Sequence, residues 1–204
     1  MNIEVLADRV KQLIDVTEKL LNYSLELKYL SNKYRPQEPL KYAEYLNSEI
    51  PSMSRFLHAM FFLDALLNIT SLLHLSEKNP DKKEQSFYEL AELVSVVTKK
   101  NDIIVELDKI RSSFETGNLH KFRHKIAAHK DIECAGDITI MYMNFVKQEA
   151  TDLCIDITTK MKELLYKHFN IYCNNLFGQL HDKGFAKMYE LFENELEKTT
   201  NENI

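Results

Sequence analysis

The sequence predicts an all-α fold, a single helical bundle of about five or six helices. Three observations carry this. Glycine and proline number only four each in 204 residues, far fewer than turn-rich β folds use. Good helix formers such as Leu, Glu and Lys recur throughout. Apolar residues return every three or four positions over long stretches, the spacing of one helix face. Hydrophobic residues make up 45% and charged residues 28%, enough apolar material for a folded core.

The first helix is expected from Ile3 to about Tyr34, with an apolar face at Leu6, Val10, Leu13, Leu20, Leu27 and Leu30. Pro36 and Pro39 end it. A short helical piece around Leu40 to Asn47 follows. Pro51 sits near the first turn of the next helix, where a missing N–H costs nothing. That helix runs to about Leu75 and is apolar on almost every side, which predicts a place at the centre of the bundle. Its apolar run from Phe56 is interrupted by His58, Asp64, Asn68 and His74, so a buried helix is expected rather than a membrane span.

Ser76 to Gln85 is a polar loop. Ser86 and Glu89 form the Ser-x-x-Glu signature of a capping box and open a helix through about Val97. Lys99-Lys100-Asn101 breaks the chain, and Asn101 or Asp102 can cap the next helix. That helix carries Ile103, Ile104, Leu107 and Ile110. It is interrupted at Gly117-Asn118, resumes through Leu119, Phe122 and Ile126, and ends near His129. A loop from Asp131 to Gly136 leads to a helix from about Ile138 to Tyr172. Its Met141-Tyr142-Met143 cluster reads as core. A last amphipathic segment spans Phe185 to Leu196, and Thr199 to Ile204 reads as a frayed tail. No repeat or linker divides the chain. It is read as one domain over 1–204, with a motif-bearing core at about 51–173 and a helical extension at about 174–198.

The net charge of −5 excludes a generic nucleic-acid binder, because phosphate contacts need clustered cations. Cys134, Cys154 and Cys173 are odd in number and form no C-x-x-C pair, which predicts free thiols in a reducing cytoplasm. No leader with an apolar core is visible at the N-terminus, and no membrane association is expected.

One segment stands apart from this acidic background. From His120 to Lys130 the chain holds Lys121, Arg123, Lys125 and Lys130 with His120, His124 and His129, and no Asp or Glu. Arginine with histidine suits attack on an RNA phosphodiester by the ribose 2′-OH. A histidine moves the proton, and the guanidinium fork binds the non-bridging oxygens as their charge grows. The products would be a 2′,3′-cyclic phosphate and a 5′-OH end, and DNA would be inert. Arg123 and His129 stand roughly 120° apart around a regular helix at about 100° per residue. They converge if the helix ends near His129 or if a second subunit completes the site.

Each of these residues has a plainer reading. Lys121, Lys125 and Lys130 also fit a solvated helix end, where cations favour the macrodipole. His120 and His124 have the i, i+4 spacing of paired ligands, but Cys134 is the only nearby thiol, so no metal site or cofactor is assigned. Asp64 fits a residue that orients a histidine or lines a cleft. It fits equally a hydrogen-bonded core or interface carboxylate. His58 and His74 read as structural, and His168 and His181 as surface.

The segment Arg123-His124-Lys125-Ile126-Ala127-Ala128-His129-Lys130-Asp131 resembles the motif of the HEPN superfamily (higher eukaryotes and prokaryotes nucleotide-binding). It is similar to the form in AbiU-like abortive-infection proteins, which often read Arg-Asn-Lys-x-x-Ala-His followed closely by Asp. The resemblance covers about Phe56 to Asp131, through the Asp-bearing apolar helix (Phe62-Leu63-Asp64-Ala65-Leu66-Leu67), the polar loop and the helix opened by Ser86-Phe87-Tyr88-Glu89-Leu90. His124 stands where Asn is commoner, and the arginine often found near the end of the second helix is not evident around Ser71 to His74. The resemblance implies catalytic roles for Arg123 and His129 and a supporting role for His124. Lys125, His120, Lys121 and Lys130 of the basic segment, with Asp64, are read beside them as supporting or RNA-binding residues. The resemblance further implies a homodimer with two motifs facing one cleft, RNA as substrate, and an antitoxin protein as a candidate partner. The alternative it allows is a non-catalytic helical module that binds RNA, a nucleotide or a protein.

Overall fold

The computed structural model describes residues 2–41, 45, 49–74, 86–117, 148–174 and 183–202. The fold is all-α, a helical bundle. Its longer helices among the described residues are α1 (Ile3–Lys33), α2 (Glu49–Leu72), α3 (Phe87–Thr98), α4 (Asp102–Thr116), α5 (Gln148–Phe169) and α6 (Lys183–Glu202). Residues 39–41 and Tyr45 are also helical. None of these helices is long and apolar enough to cross a membrane.

The ends of the helices follow local chemistry. Ser86 Oγ accepts the backbone N–H of Glu89 at 3.2 Å, satisfying one orphan donor at the start of α3. The other half of the expected capping box is missing, since Glu89 Oε2 is buried without a hydrogen bond. Lys99 ends α3 in the left-handed region at φ 58°, with its N–H bonded to the Ser95 carbonyl at 2.8 Å. Asn101 occupies the N-cap of α4 but makes no side-chain cap bond. Pro51 falls in the first turn of α2, as its missing N–H requires.

Two helix ends differ from the sequence expectation. α5 stops at Phe169 rather than near Tyr172. Asn170 takes φ 54°, and nested bonds from Asn170 N–H to the Tyr166 carbonyl and Ile171 N–H to the Leu165 carbonyl close the last turn. α6 continues to Glu202, through residues read as a tail. No glycine or proline follows Gly184 to break the helix, although Thr199, Thr200 and Asn201 are weak helix formers.

The packing falls into two compact units, Met1–Leu21 with Phe62–Asn175, and Asn22–Phe61 with Leu176–Ile204. The first unit has the larger core. It includes Leu6, Val10, Ile14 and Leu21 of α1, Phe62, Leu66 and Ile69 of α2, Phe87 and Leu90 of α3, Leu107 of α4, and Ile157 and Met161 of α5. Glu18 is fully buried there and pairs with Lys162 of α5 at 2.9 Å.

The second unit is built on aromatic rings. Tyr23 packs on Phe61 and Phe185, with ring centroids 5.4 and 5.8 Å away. Tyr189 stacks on Tyr34 at 5.3 Å and donates its hydroxyl to Ser54 Oγ at 2.5 Å. Phe185 and Tyr189 are four residues apart, so one face of α6 carries both anchors.

Candidate functional site

The candidate site sits in the segment that joins α4 to α5. Both helices belong to the first unit and run antiparallel. Lys167 of α5 reaches Glu106 of α4 at 2.6 Å, and Gly117 at the other end lies against Leu153. A methyl group at Gly117 would run into the end of the Leu153 side chain, which would have to shift to make room, so glycine lets α4 end close to α5 without that adjustment. Its φ of −69° is open to any residue, so the requirement is space, not backbone conformation. The interruption expected at Gly117 is therefore real, and it brings together the points where the motif-bearing segment leaves and rejoins the helices.

Arg123, His129, His124, Lys125, His120, Lys121 and Lys130 lie outside the described residues, as do Cys134, His181 and the Met141-to-Met143 cluster. Asp64 is the one candidate with a described position. It is exposed on α2, which rules out the core-carboxylate reading and leaves those that place it at a surface. The helix around it is less enclosed than its composition suggested. Phe56 is 62% exposed and Met53 46%, while Ala65 and Leu66 are fully buried.

The helices flanking the segment are charged in both senses. A groove of about 640 Å³ between α4 and α5 is lined by Glu106, Lys109, Lys160, Glu163 and Lys167, among others. Lys167 holds the Glu106 carboxyl below its ordinary range, outweighing the opposing cost of its burial. Three cations against two anions, with Asp156 bound to Lys160 at 2.6 Å, leave little net field for a polyanion. The groove is therefore no substitute for the basic segment.

The histidines divide differently from the sequence reading. His58 is structural, as expected. Its Nδ1 lies 2.7 Å from the Ser24 carbonyl and 2.8 Å from Ser24 Oγ. His74 is exposed at the end of α2. His168 is half-buried rather than on the surface, with Nε2 3.6 Å from Glu106. Its place at the α4–α5 contact was not legible, because the signal is a cross-helix partner 62 residues away in sequence. Cys154 is buried and Cys173 half-buried, both as free thiols. Burial pushes the Cys154 thiol up to about 12, so it is inert as a nucleophile near neutral pH. Among the described residues no three His, Cys, Asp or Glu side chains converge to hold a metal ion.

No known protein family, curated protein or solved structure matches the chain.

Proposed function

We propose that this protein is a metal-independent endoribonuclease of the HEPN type, acting in a phage-defence or toxin–antitoxin system, with Arg123 and His129 as its catalytic residues. The observation that carries the reading is the Arg123-to-His129 motif itself, the one basic, histidine-rich island in a chain of net charge −5. Its setting supports the reading. The fold is all-α, and the segment bearing the motif is strung between the adjoining ends of two antiparallel helices. Such a hairpin of helices fixes the two points from which the segment departs.

In this mechanism His129 exchanges the proton with the 2′-OH or the leaving 5′-oxygen. Arg123 binds the non-bridging oxygens in the transition state. His124, Lys125, His120, Lys121 and Lys130 hold the flanking phosphates. A dimer supplies the second motif, and Asp64, exposed on α2, is assigned to line the shared cleft.

The product chemistry tests the reaction class. An RNA oligonucleotide cleaved in EDTA should leave a 2′,3′-cyclic phosphate and a 5′-OH. A single 2′-deoxy substitution at the cut site should abolish that cut. Cleavage that needs a divalent cation, or leaves a 5′-phosphate, would remove this mechanism.

The second reading is a non-catalytic module that binds RNA, a nucleotide or a protein. His124, where Asn is commoner, favours it. It predicts RNA binding without turnover, weakened by Arg123→Glu.

A further inference from the structure

His58 joins two helices of the second unit through one ring nitrogen. A carbonyl only accepts, so Nδ1 carries the hydrogen that reaches the Ser24 carbonyl at 2.7 Å and Ser24 Oγ at 2.8 Å. Ser24 Oγ then donates back to the His58 carbonyl at 3.3 Å. Ser24 is fully buried and His58 half-buried, so α1 and α2 are tied here by an interior polar clamp. With Nδ1 already protonated, a second proton has only Nε2 to occupy. That nitrogen has no hydrogen-bond partner among the described residues.

The surroundings oppose that proton. Burial is the main effect holding the ring neutral. The Ser24 carbonyl works the other way, and the Lys28 ammonium on α1 adds to burial. Among the described residues no carboxylate acts on the ring to host an imidazolium. Tyr189 of α6 has its hydroxyl engaged with Ser54, one turn before His58 on α2.

The clamp adjoins the seat of α6. Tyr23 is the residue before Ser24, and Phe61 lies one turn beyond His58. These two rings hold Phe185, the first anchor of α6. We propose that His58 is an acid-sensitive latch: the neutral ring keeps α1 and α2 closed around Phe185, and proton uptake loosens that seat and releases α6.

The sign follows from linkage. A histidine disfavoured as a cation in the closed state stabilises closure fully above its ordinary value of 6.5. That contribution is lost as pH falls below 6.5, down to the depressed value in the closed state. Lysine removal at position 28 raises the closed-state value and so shrinks the loss.

The test is hydrogen exchange of the full chain between about pH 7.5 and about pH 5, corrected for intrinsic exchange. Protection of α6 amides should fall by up to about tenfold per pH unit below pH 6.5, while α3, α4 and α5 keep theirs. His58→Gln, which keeps a neutral donor, should flatten the α6 profile. Lys28→Gln should reduce the fall and gives a second variant if His58→Gln does not fold. The proposal is overturned if wild-type α6 protection is flat across this range, if all helices lose protection together, or if the fall persists unchanged in either variant.

Discussion

Glu18 is the clearest instance of a residue whose role its sequence position hides. It lies on the apolar face of α1 and is fully buried, with Lys162 Nζ 2.9 Å from Oε1. A buried charge that loses its partner is far more costly than the pair is favourable. Lys162→Ala should destabilise the fold by roughly 3 kcal/mol, read from the urea midpoint, and Glu18→Gln in the same chain should recover part of it. No recovery would mean that Lys162 acts through packing alone. The same helix shows the limit of periodicity at single-residue resolution. Leu13 and Leu20 were read onto the core face, yet they are half-buried, and Ile14 and Leu21 are fully buried instead. Leu6, Val10, Leu27 and Leu30 of the same predicted face are buried, so the difference is confined to its middle. Asp64 left two readings open, and one residue along a helix is a turn of about 100°, enough to carry it from the Ala65 face to solvent.

At the scale of the helices, local signals were legible and long-range ones were not. Ser86 started α3 where its hydroxyl could accept the Glu89 N–H. Ser86→Ala should cost about 1 kcal/mol, seen as a lower thermal midpoint, since the N–H then goes without a protein partner. Gly117 ended α4 as read, but the reason, the Leu153 side chain 36 residues on, lies in tertiary packing. Gly117→Ala should destabilise by about 1–2 kcal/mol, and Leu153→Ala should relieve that overpacking when combined with it. Additive losses in the double variant would contradict the close approach. The stop of α5 at Asn170 carried only a weak signal, the tolerance of asparagine for the left-handed region. The reach of α6 to Glu202 has no local signal, because Thr199, Thr200 and Asn201 are weak helix formers and nothing but the lack of glycine or proline favours continuation.

For the molecule as a whole, the fold class followed from composition and period alone. Its division into two compact units did not. α1 and α2 each contribute to both units without a break, so no glycine, proline or charge run marks the boundaries near residues 21 and 61. The last helix joins residues 22–61 rather than forming a separate appendage, through Phe185 and Tyr189. The candidate site was legible as chemistry, from the clustering of Arg123, His129 and their basic neighbours. Its geometry depends on how two such motifs face one another, which a helical period does not encode. The ribonuclease reading predicts a particle of twice the 24.0 kDa chain mass by light scattering. A monomer with full cleavage activity would show that one motif suffices. The most direct measurement is cleavage of RNA in EDTA by the wild-type chain, Arg123→Ala and His129→Ala. The account predicts wild-type turnover reduced at least about 100-fold in each variant, with folding intact. Equal cleavage by all three would contradict it.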